Sequence, residues 1–141
     1  MATDGKNAVW LNVALKSPDQ LRQRVAWALA QVFVIGEGGV GGREQHEVYN
    51  VFYDVFVRHA FGSYRDIMQE VAYSPAMATY LTYLNGKSLA SSGSFPDENF
   101  ARELMQLFTV GLSKLNADGT PKVNEAGAIE QVSWSRPPPV Y

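Results

Sequence analysis

The chain contains no cysteine, and this absence excludes disulfides, catalytic thiolates and metal sites with cysteine ligands. Its formal net charge is only −2 at pH 7, which argues against the basic stripe of a nucleic-acid-binding surface. The longest apolar run, VAWALAQVFVI, covers about 11 residues, whereas a helix needs roughly 20 to span a bilayer. The N-terminal segment lacks a basic start followed by an apolar run, so no signal peptide is visible and the localisation stays open. We therefore expect a protein that binds no nucleic acid and does not span a membrane.

The composition is that of a globular protein of about one domain. The chain has 141 residues, of which 46% are hydrophobic, 12% aromatic and 18% charged. Disordered chains are poor in aromatic residues and rich in net charge, so this balance indicates a chain that can bury a core.

Apolar residues recur every three or four positions in five segments, which predicts an all-α fold. Ser17, followed by Pro18 and Gln20, fits a capping box, and Ser74 fits a helix start with Pro75 in the first turn. We expect about five amphipathic helices in an irregular orthogonal bundle, with an irregular C-terminal tail. The predicted helices cover residues 17–36, 43–62, 63–74, 74–86 and 98–110.

The apolar stripes of these helices predict the core. The predicted core residues are Leu21, Val25, Leu29, Val32, Phe52, Phe56, Ile67, Val71, Leu81, Leu84, Phe100, Leu104, Leu107 and Phe108.

The character of the sequence changes after Leu112. Residues 113–141 are rich in turn-forming residues. Three consecutive prolines precede the last two residues, Val140 and Tyr141, and a run of prolines cannot continue a helix. We expect a helical core over 1–112 and a weakly attached tail over 113–141, so limited proteolysis should cut the tail first.

Three apparent motifs have simpler explanations. GEGGVG, residues 36–41, follows a predicted helix instead of a strand, so it indicates a helix connection and not a dinucleotide site. KLNADGTPKVNE resembles a calcium loop, but Lys114 stands where a carboxylate is required, and a turn explains the residues. His46 and His59 are 13 positions apart, without a zinc-site spacing or a clear carboxylate partner, so we expect surface or helix-end residues. No metal and no cofactor are predicted.

One polar cluster opens the fifth predicted helix, within PDENFARELMQLFTVG. At 100° per residue, five polar side chains fall within about 140° of one another on that helix, namely those of Glu98, Asn99, Arg102, Glu103 and Gln106. Glu98 and Arg102 are four positions apart, which suits an ion pair that holds the helix start in place. The cluster is the predicted binding face, and it consists of Asp97, Glu98, Asn99, Arg102 and Glu103.

The same cluster also fits catalysis. Glu98 and Glu103 supply two carboxylates that could work as acid and base, or hold a metal with help from another helix. Arg102 is the third candidate catalytic residue. Spacing alone does not decide between this chemistry and a well-capped amphipathic helix, so enzymatic activity stays open.

PDENFARELMQLFTVGLSKLNADGTP resembles the most recognisable stretch of a large bacterial family, domain of unknown function 1800. The upstream phrases PDQLRQRVAWALAQVFVI, FYDVFVRHAFGSYRDIMQEV and SPAMATYLTYLNGK are similar to the same family, in the same order. The resemblance runs from about Trp10 to Pro121. It implies a helix-rich protein of a family whose members are often exported, and it implies no biochemical activity.

The chain departs from the family pattern at both ends. Members continue past the signature into another helical region with an FTGW-like phrase, where this chain has EQVSWSRPPPVY. The long N-terminal part of the family is also missing. We therefore expect an internal fragment that packs against the missing parts of the family domain.

Three interpretations of the function remain open. The parent protein is an exported helical binding or structural protein, which is the interpretation we favour; its partner is unknown. Alternatively, it is a hydrolase-like enzyme that uses Glu98 and Glu103, with or without a metal. In the third interpretation, the fragment has no independent function.

Overall fold

The computed structural model describes residues 5–36, 39–40 and 46–132, and within these ranges the fold is all-α, as predicted. Seven helices are present in this part of the chain, two more than the sequence predicts; the additions are α1 and α6. None of them is long and apolar enough to cross a membrane. The helices are α1 (Gly5–Lys16), α2 (Gln20–Val32), α3 (His46–Arg58), α4 (Tyr64–Ala72), α5 (Pro75–Tyr80), α6 (Leu89–Ser92) and α7 (Asn99–Gln106).

The described residues fall into two compact units, one through Phe100 and one from Ala101 onward. In the first unit α3 is the central helix, since it contacts α1, α2, α4 and α5. The side chain of Arg22 donates to the main-chain oxygen of Val57 at 2.9 Å, and the Tyr53 hydroxyl donates to the main-chain oxygen of Gln23 at 3.3 Å. These bonds fix the position of α2 against α3.

The start of α2 differs from the predicted capping box. The cap position is Asp19 instead of Ser17, and the Ser17 hydroxyl donates to the Asp19 carboxylate. Gln20 Nε2 donates to the main-chain oxygen of Ser17 at 2.9 Å. The start of α5 is as predicted, with Ser74 at the cap position and Pro75 in the first turn.

Helix α2 also buries a different face from the predicted one. Leu21 is 70% exposed and Val32 is 41% exposed, whereas Gln23, Ala26 and Phe33 are buried. The reason is α1, which the sequence analysis did not predict and which packs on α2 together with α3. Ala26 is fully buried on this inner face, together with Gln23.

The predicted core is correct for the central helices and wrong at the edges. Leu84 and Leu107 are exposed, as are Leu21 and Val32. Phe33 stacks on Phe56 with ring centroids 5.8 Å apart. The predicted core residues that are buried are Phe52, Phe56, Ile67, Val71, Leu81 and Phe108.

The glycine-rich connection after α2 packs closely where it is described. A Cβ on Gly39 would lie 2.5 Å from Cδ2 of Tyr80, and one on Gly36 would lie 3.1 Å from Cε2 of the same ring. Tyr49 donates its hydroxyl proton to the main-chain oxygen of Gly36 at 2.9 Å. Close approach to an aromatic ring therefore requires glycine at position 39.

The second unit contains residues 101–106 of α7 and a turn-rich segment. Helix α7 ends at Gln106, earlier than the predicted Val110, and Gly111 follows with φ +83°. Isolated antiparallel bridges pair Ser113 with Gln131, Leu115 with Pro121, and Val123 with Ile129. The side chains of Lys114 and Glu130 form an ion pair at 2.9 Å. Residues 133–141 lie outside the described ranges, and the weak attachment of the tail stays a prediction.

Candidate functional site

The polar cluster before and within α7 is anchored through Asp97. One carboxylate oxygen accepts the main-chain N–H of Asn99 at 2.9 Å, and the other accepts the hydroxyl proton of Thr82. These bonds, with Thr82 the larger contributor, hold the pKa of Asp97 below its ordinary value. Thr82 has a positive φ of 64°, a region that a β-branched residue rarely adopts, so Asp97 fastens a strained turn.

The predicted ion pair between Glu98 and Arg102 is wrong. Arg102 Nε donates to Gln106 Oε1 at 3.2 Å, and the described residues contain no Glu98–Arg102 ion pair. The reason is that α7 begins at Asn99, so Glu98 lies outside the helix and the i,i+4 geometry does not apply.

The remaining members of the cluster differ in exposure. Glu98 and Arg102 are exposed, whereas Asn99 and Glu103 are half-buried. Within the described ranges, no group of three or more histidine, aspartate or glutamate side chains is placed to hold a metal ion. Within the cluster, Asp97 and Arg102 are the residues whose side chains form hydrogen bonds in the described structure.

A second polar group joins α3 to α4, and the sequence analysis missed it. Nε2 of His59 lies 2.6 Å from one carboxylate oxygen of Glu70, and Arg58 pairs with the other. His59, followed by Arg58, holds the pKa of Glu70 below its ordinary value of 4.5. This ion-paired group borders a surface hollow of about 490 Å³ that Asp66 and Tyr73 also line.

The expectation that His59 has no carboxylate partner is therefore wrong. The prediction that His59 is a helix-end residue is correct, since α3 ends at Arg58. Helices α3 and α4 are joined by a short turn, which brings residues at similar distances from the turn together. His59 and Glu70 lie at similar distances, five and six positions, on either side of residue 64, where α4 begins. This spacing is the sequence pattern that could have predicted their contact. The side chain of His46 lies outside the described residues.

A cleft of about 200 Å³ separates α1 from α3, with part of α2 as its floor. We call it the α1–α3 cleft. A smaller hollow of about 100 Å³ lies on the other side of α1 against α2, and Trp10 and Gln23 line both. The residues that line the α1–α3 cleft are Val9, Trp10, Val13, Gln23, Asn50, Tyr53, Asp54 and Val57.

Two polar side-chain atoms are buried beside the α1–α3 cleft. Nε1 of Trp10 lies next to the Tyr53 hydroxyl. Gln23 is only 4% exposed, and its buried Oε1 accepts no proton. Such groups are uncommon, because a buried polar atom without a partner costs free energy.

Aromatic contacts fix the Trp10 ring. Its centroid lies 4.7 Å from that of Trp27 and 6.2 Å from that of Tyr53, which it meets edge-on at 89°. Burial raises the pKa of the Tyr53 hydroxyl, and a hydrogen bond from the Trp10 indole lowers it by a smaller amount. The cleft therefore has a rigid aromatic wall, an amide floor and an apolar rim.

Sequence reasoning did not find the α1–α3 cleft. Glutamine is usually exposed on a helix, so nothing in the α2 sequence marks Gln23 as an inward residue. The close pairing of Trp10 with Trp27 depends on α1, which was not predicted.

The comparison with protein families gives one match. The family model described as "Protein of unknown function (DUF1800)" matches residues 2–126. No curated protein and no solved structure matches the chain. The match covers most of the 141 residues and agrees with the resemblance that the signature phrases carry. The chain therefore belongs to the DUF1800 family.

Proposed function

We propose that this chain is a helical binding protein without enzymatic activity, and that the α1–α3 cleft is its ligand-binding surface. The observation that carries this proposal is the α1–α3 cleft itself, a cavity of about 200 Å³ with apolar side chains along its rim. Ligand sites are typically concave surfaces of this kind, lined mainly by apolar and aromatic side chains.

The surroundings of the cleft support this proposal. Val9 is 54% exposed and Val13 is 42% exposed, so an apolar rim is open to water beside the buried polar atoms. Ligand sites typically combine apolar walls with a few polar groups in fixed positions. The hydrogen bonds from α2 and α3 described above hold the floor in place, so little ordering is needed on binding.

The polar cluster gives the enzyme alternative little support. That alternative relies on Glu98 and Glu103, and within the described ranges no third histidine, aspartate or glutamate side chain is placed to hold a metal with them. Glu98 is open to water, and no partner positions it. Asp97, Glu98, Asn99, Arg102 and Glu103 remain a predicted binding face, in which we assign Asp97 the role of fastening the turn at Thr82.

The proposal is tested by nuclear magnetic resonance on the 15N-labelled 141-residue chain. The indole N–H signal of Trp10 is assigned by its loss in Trp10→Phe and is followed during titrations with N-methylacetamide, methylammonium chloride and sodium acetate. We expect at least one of these probes to shift the signal and to saturate. If none of the three does, the cleft is not a binding site and the proposal is overturned.

Two further measurements separate the alternatives. A cooperative thermal melt of the chain supports an independent protein, and a melt without cooperativity supports the fragment without function. A rise in melting temperature with Zn²⁺ or Mg²⁺ that Glu98→Gln or Glu103→Gln abolishes would support the carboxylate enzyme instead. The export of the parent protein stays a prediction.

A further inference from the structure

The polar groups that a ligand can reach in the α1–α3 cleft lie on α3. Asp54 is exposed and Asn50 is half-buried, whereas Gln23 is buried. Asn50 and Asp54 are four positions apart, so they share one face of α3 and stand one turn from each other. Both line the cleft. A ligand in the cleft therefore meets a carboxylate and an amide on the α3 side.

These two side chains have no partner within the described part of the chain. The ion pairs of the described residues do not include Asp54, and neither its carboxylate nor the Asn50 amide forms a hydrogen bond there. Arg22, which donates to the main-chain oxygen of Val57, pairs with Asp19 instead. The carboxylate of Asp54 is thus available to a cation from outside the protein.

The charge of the cleft selects the sign of the ligand. Asp54 lines the cleft, and no lysine, arginine or histidine of the described residues does. The carboxylate attracts a cation and repels an anion. The rings of Trp10 and Tyr53 also line the cleft, and the faces of aromatic rings attract cations. A positively charged group consequently fits better than a neutral or a negative one.

The size and walls of the cleft indicate one small group with an apolar stem. Its volume of about 200 Å³ is below the range of roughly 300–1,000 Å³ that holds drug-sized ligands. Val9 and Val13 lie on the α1 side, and Val57 lies on α3 one turn after Asp54. Chains of methylene groups pack along apolar surface of this kind while their charged head stays near water.

We infer that the α1–α3 cleft binds an alkylammonium group, with the ammonium N–H groups donated to the Asp54 carboxylate and to Oδ1 of Asn50. The alkyl stem lies against the three valines of the cleft. This assignment rests on the proposed function and names its ligand class. The side chain of a lysine in a peptide and a free aliphatic amine carry the same chemistry, and the experiment distinguishes these two sources.

The test compares butylammonium chloride with 1-butanol, which has the same alkyl chain without the charge. Both are titrated at neutral pH into the 15N-labelled wild-type chain and into Asp54→Asn, and the Trp10 indole signal gives the dissociation constants. We expect the wild type to bind the ammonium about three- to tenfold more tightly than the alcohol, as one ion pair at a partly exposed site provides. In Asp54→Asn this preference should disappear. Asp66→Asn changes an exposed aspartate on α4 that does not line the cleft, and this matched control should keep the preference.

A second variant tests the alkyl stem. Val9 is 54% exposed, so Val9→Ser should leave the fold intact. It should weaken the binding of butylammonium at least about twofold and leave that of methylammonium unchanged, since the longer cation alone has methylene groups to place against Val9. An equal change for the two cations, or no change for either, overturns the assignment.

The outcomes separate the ligand class from the proposed function. If acetate or N-methylacetamide saturates the Trp10 signal and neither ammonium ion does, the alkylammonium assignment is overturned while the cleft remains a binding site. Equal binding of butylammonium and 1-butanol by the wild type also overturns the assignment. Loss of the preference in Asp66→Asn would overturn it as well, since the effect would not come from the carboxylate in the cleft.

Two larger probes identify the source of the ammonium group, N-acetyl-lysine N-methylamide and 1,4-diaminobutane. Binding of either one that depends on Asp54 and is at most about tenfold weaker than that of butylammonium supports the assignment, and the tighter of the two names the source. If both bind more weakly than this, an alkylammonium group on a larger molecule does not fit and the assignment is overturned.

Discussion

Replacing Gln23 by leucine should stabilise the protein, which is unusual for a change at a buried polar residue. Gln23 is 4% exposed, and its Oε1 has no partner, so the native chain bears the desolvation cost of a carbonyl without the return of a hydrogen bond. That cost is about 1–3 kcal/mol. Leucine has a similar size, so the exchange leaves little cavity or strain.

The substitution also removes one hydrogen bond, and the stability lost with it is small. The bond from Gln23 Nε2 to Asp19 is 3.5 Å long, at the limit of hydrogen-bonding distance, so its loss costs no more than about 0.5 kcal/mol. The net gain in the free energy of unfolding is about 1–2 kcal/mol. For a chain of this length each kcal/mol raises the melting temperature by about 3–5 °C.

Urea and thermal melts of the wild type, Gln23→Leu and Gln31→Leu measure this effect. Gln31 is exposed and donates from Nε2 to the main-chain oxygen of Trp27 at 3.3 Å, so its replacement should change the stability by no more than about 0.5 kcal/mol. If Gln23→Leu loses 1 kcal/mol or more, relative to this control, Oε1 is satisfied in the free protein and the reasoning is refuted.

Three further predictions concern packing, the α7 entry and pH. Gly39→Ala should lower the free energy of unfolding by about 1–3 kcal/mol, because the added Cβ would lie 2.5 Å from the Tyr80 ring. Urea melts should show a smaller effect of Gly39→Ala in a Tyr80→Ala background. Equal effects in both backgrounds would contradict this explanation. Asp97→Ala should lower the melting temperature by less than Gly39→Ala does. Asp97→Asn should lower it less than Asp97→Ala, because an amide oxygen can still accept from Thr82. An unchanged melting temperature for Asp97→Ala would contradict the anchoring role of Asp97. The pKa of Glu70 is lowered, so its ion pairs contribute stability above about pH 4.5, and this stability is lost as the pH falls through the folded-state pKa. Glu70→Gln should therefore lower the free energy of unfolding by less than about 1 kcal/mol at pH 7 and not at all near pH 2. A cost that persists at low pH would exclude the electrostatic explanation.

The all-α fold and the start of α5 could be predicted because they depend on local signals. Ser74 and Pro75 mark a helix start by their own conformational preferences, and the stripe of Ile67 and Val71 is buried as predicted. These features do not depend on which helix is the neighbour. A short window of sequence therefore contains the information.

The inner face of α2 could not be predicted, because a partner decides it. The apolar stripe through Leu21 and Val32 is regular, but α1 packs on α2 with α3 and buries Gln23 and Ala26 instead. The Glu98–Arg102 pair failed for a related reason, since the start of α7 one residue later removes the spacing on which it depends. Helix boundaries and tertiary contacts, and not composition, determine both outcomes.

The most direct measurement of the central claim is a set of crystal structures of the chain soaked with N-methylacetamide, methylammonium chloride and sodium acetate. The account predicts that at least one of these molecules occupies the α1–α3 cleft, between Val9 and Val57. A cleft that binds none of the three would contradict it.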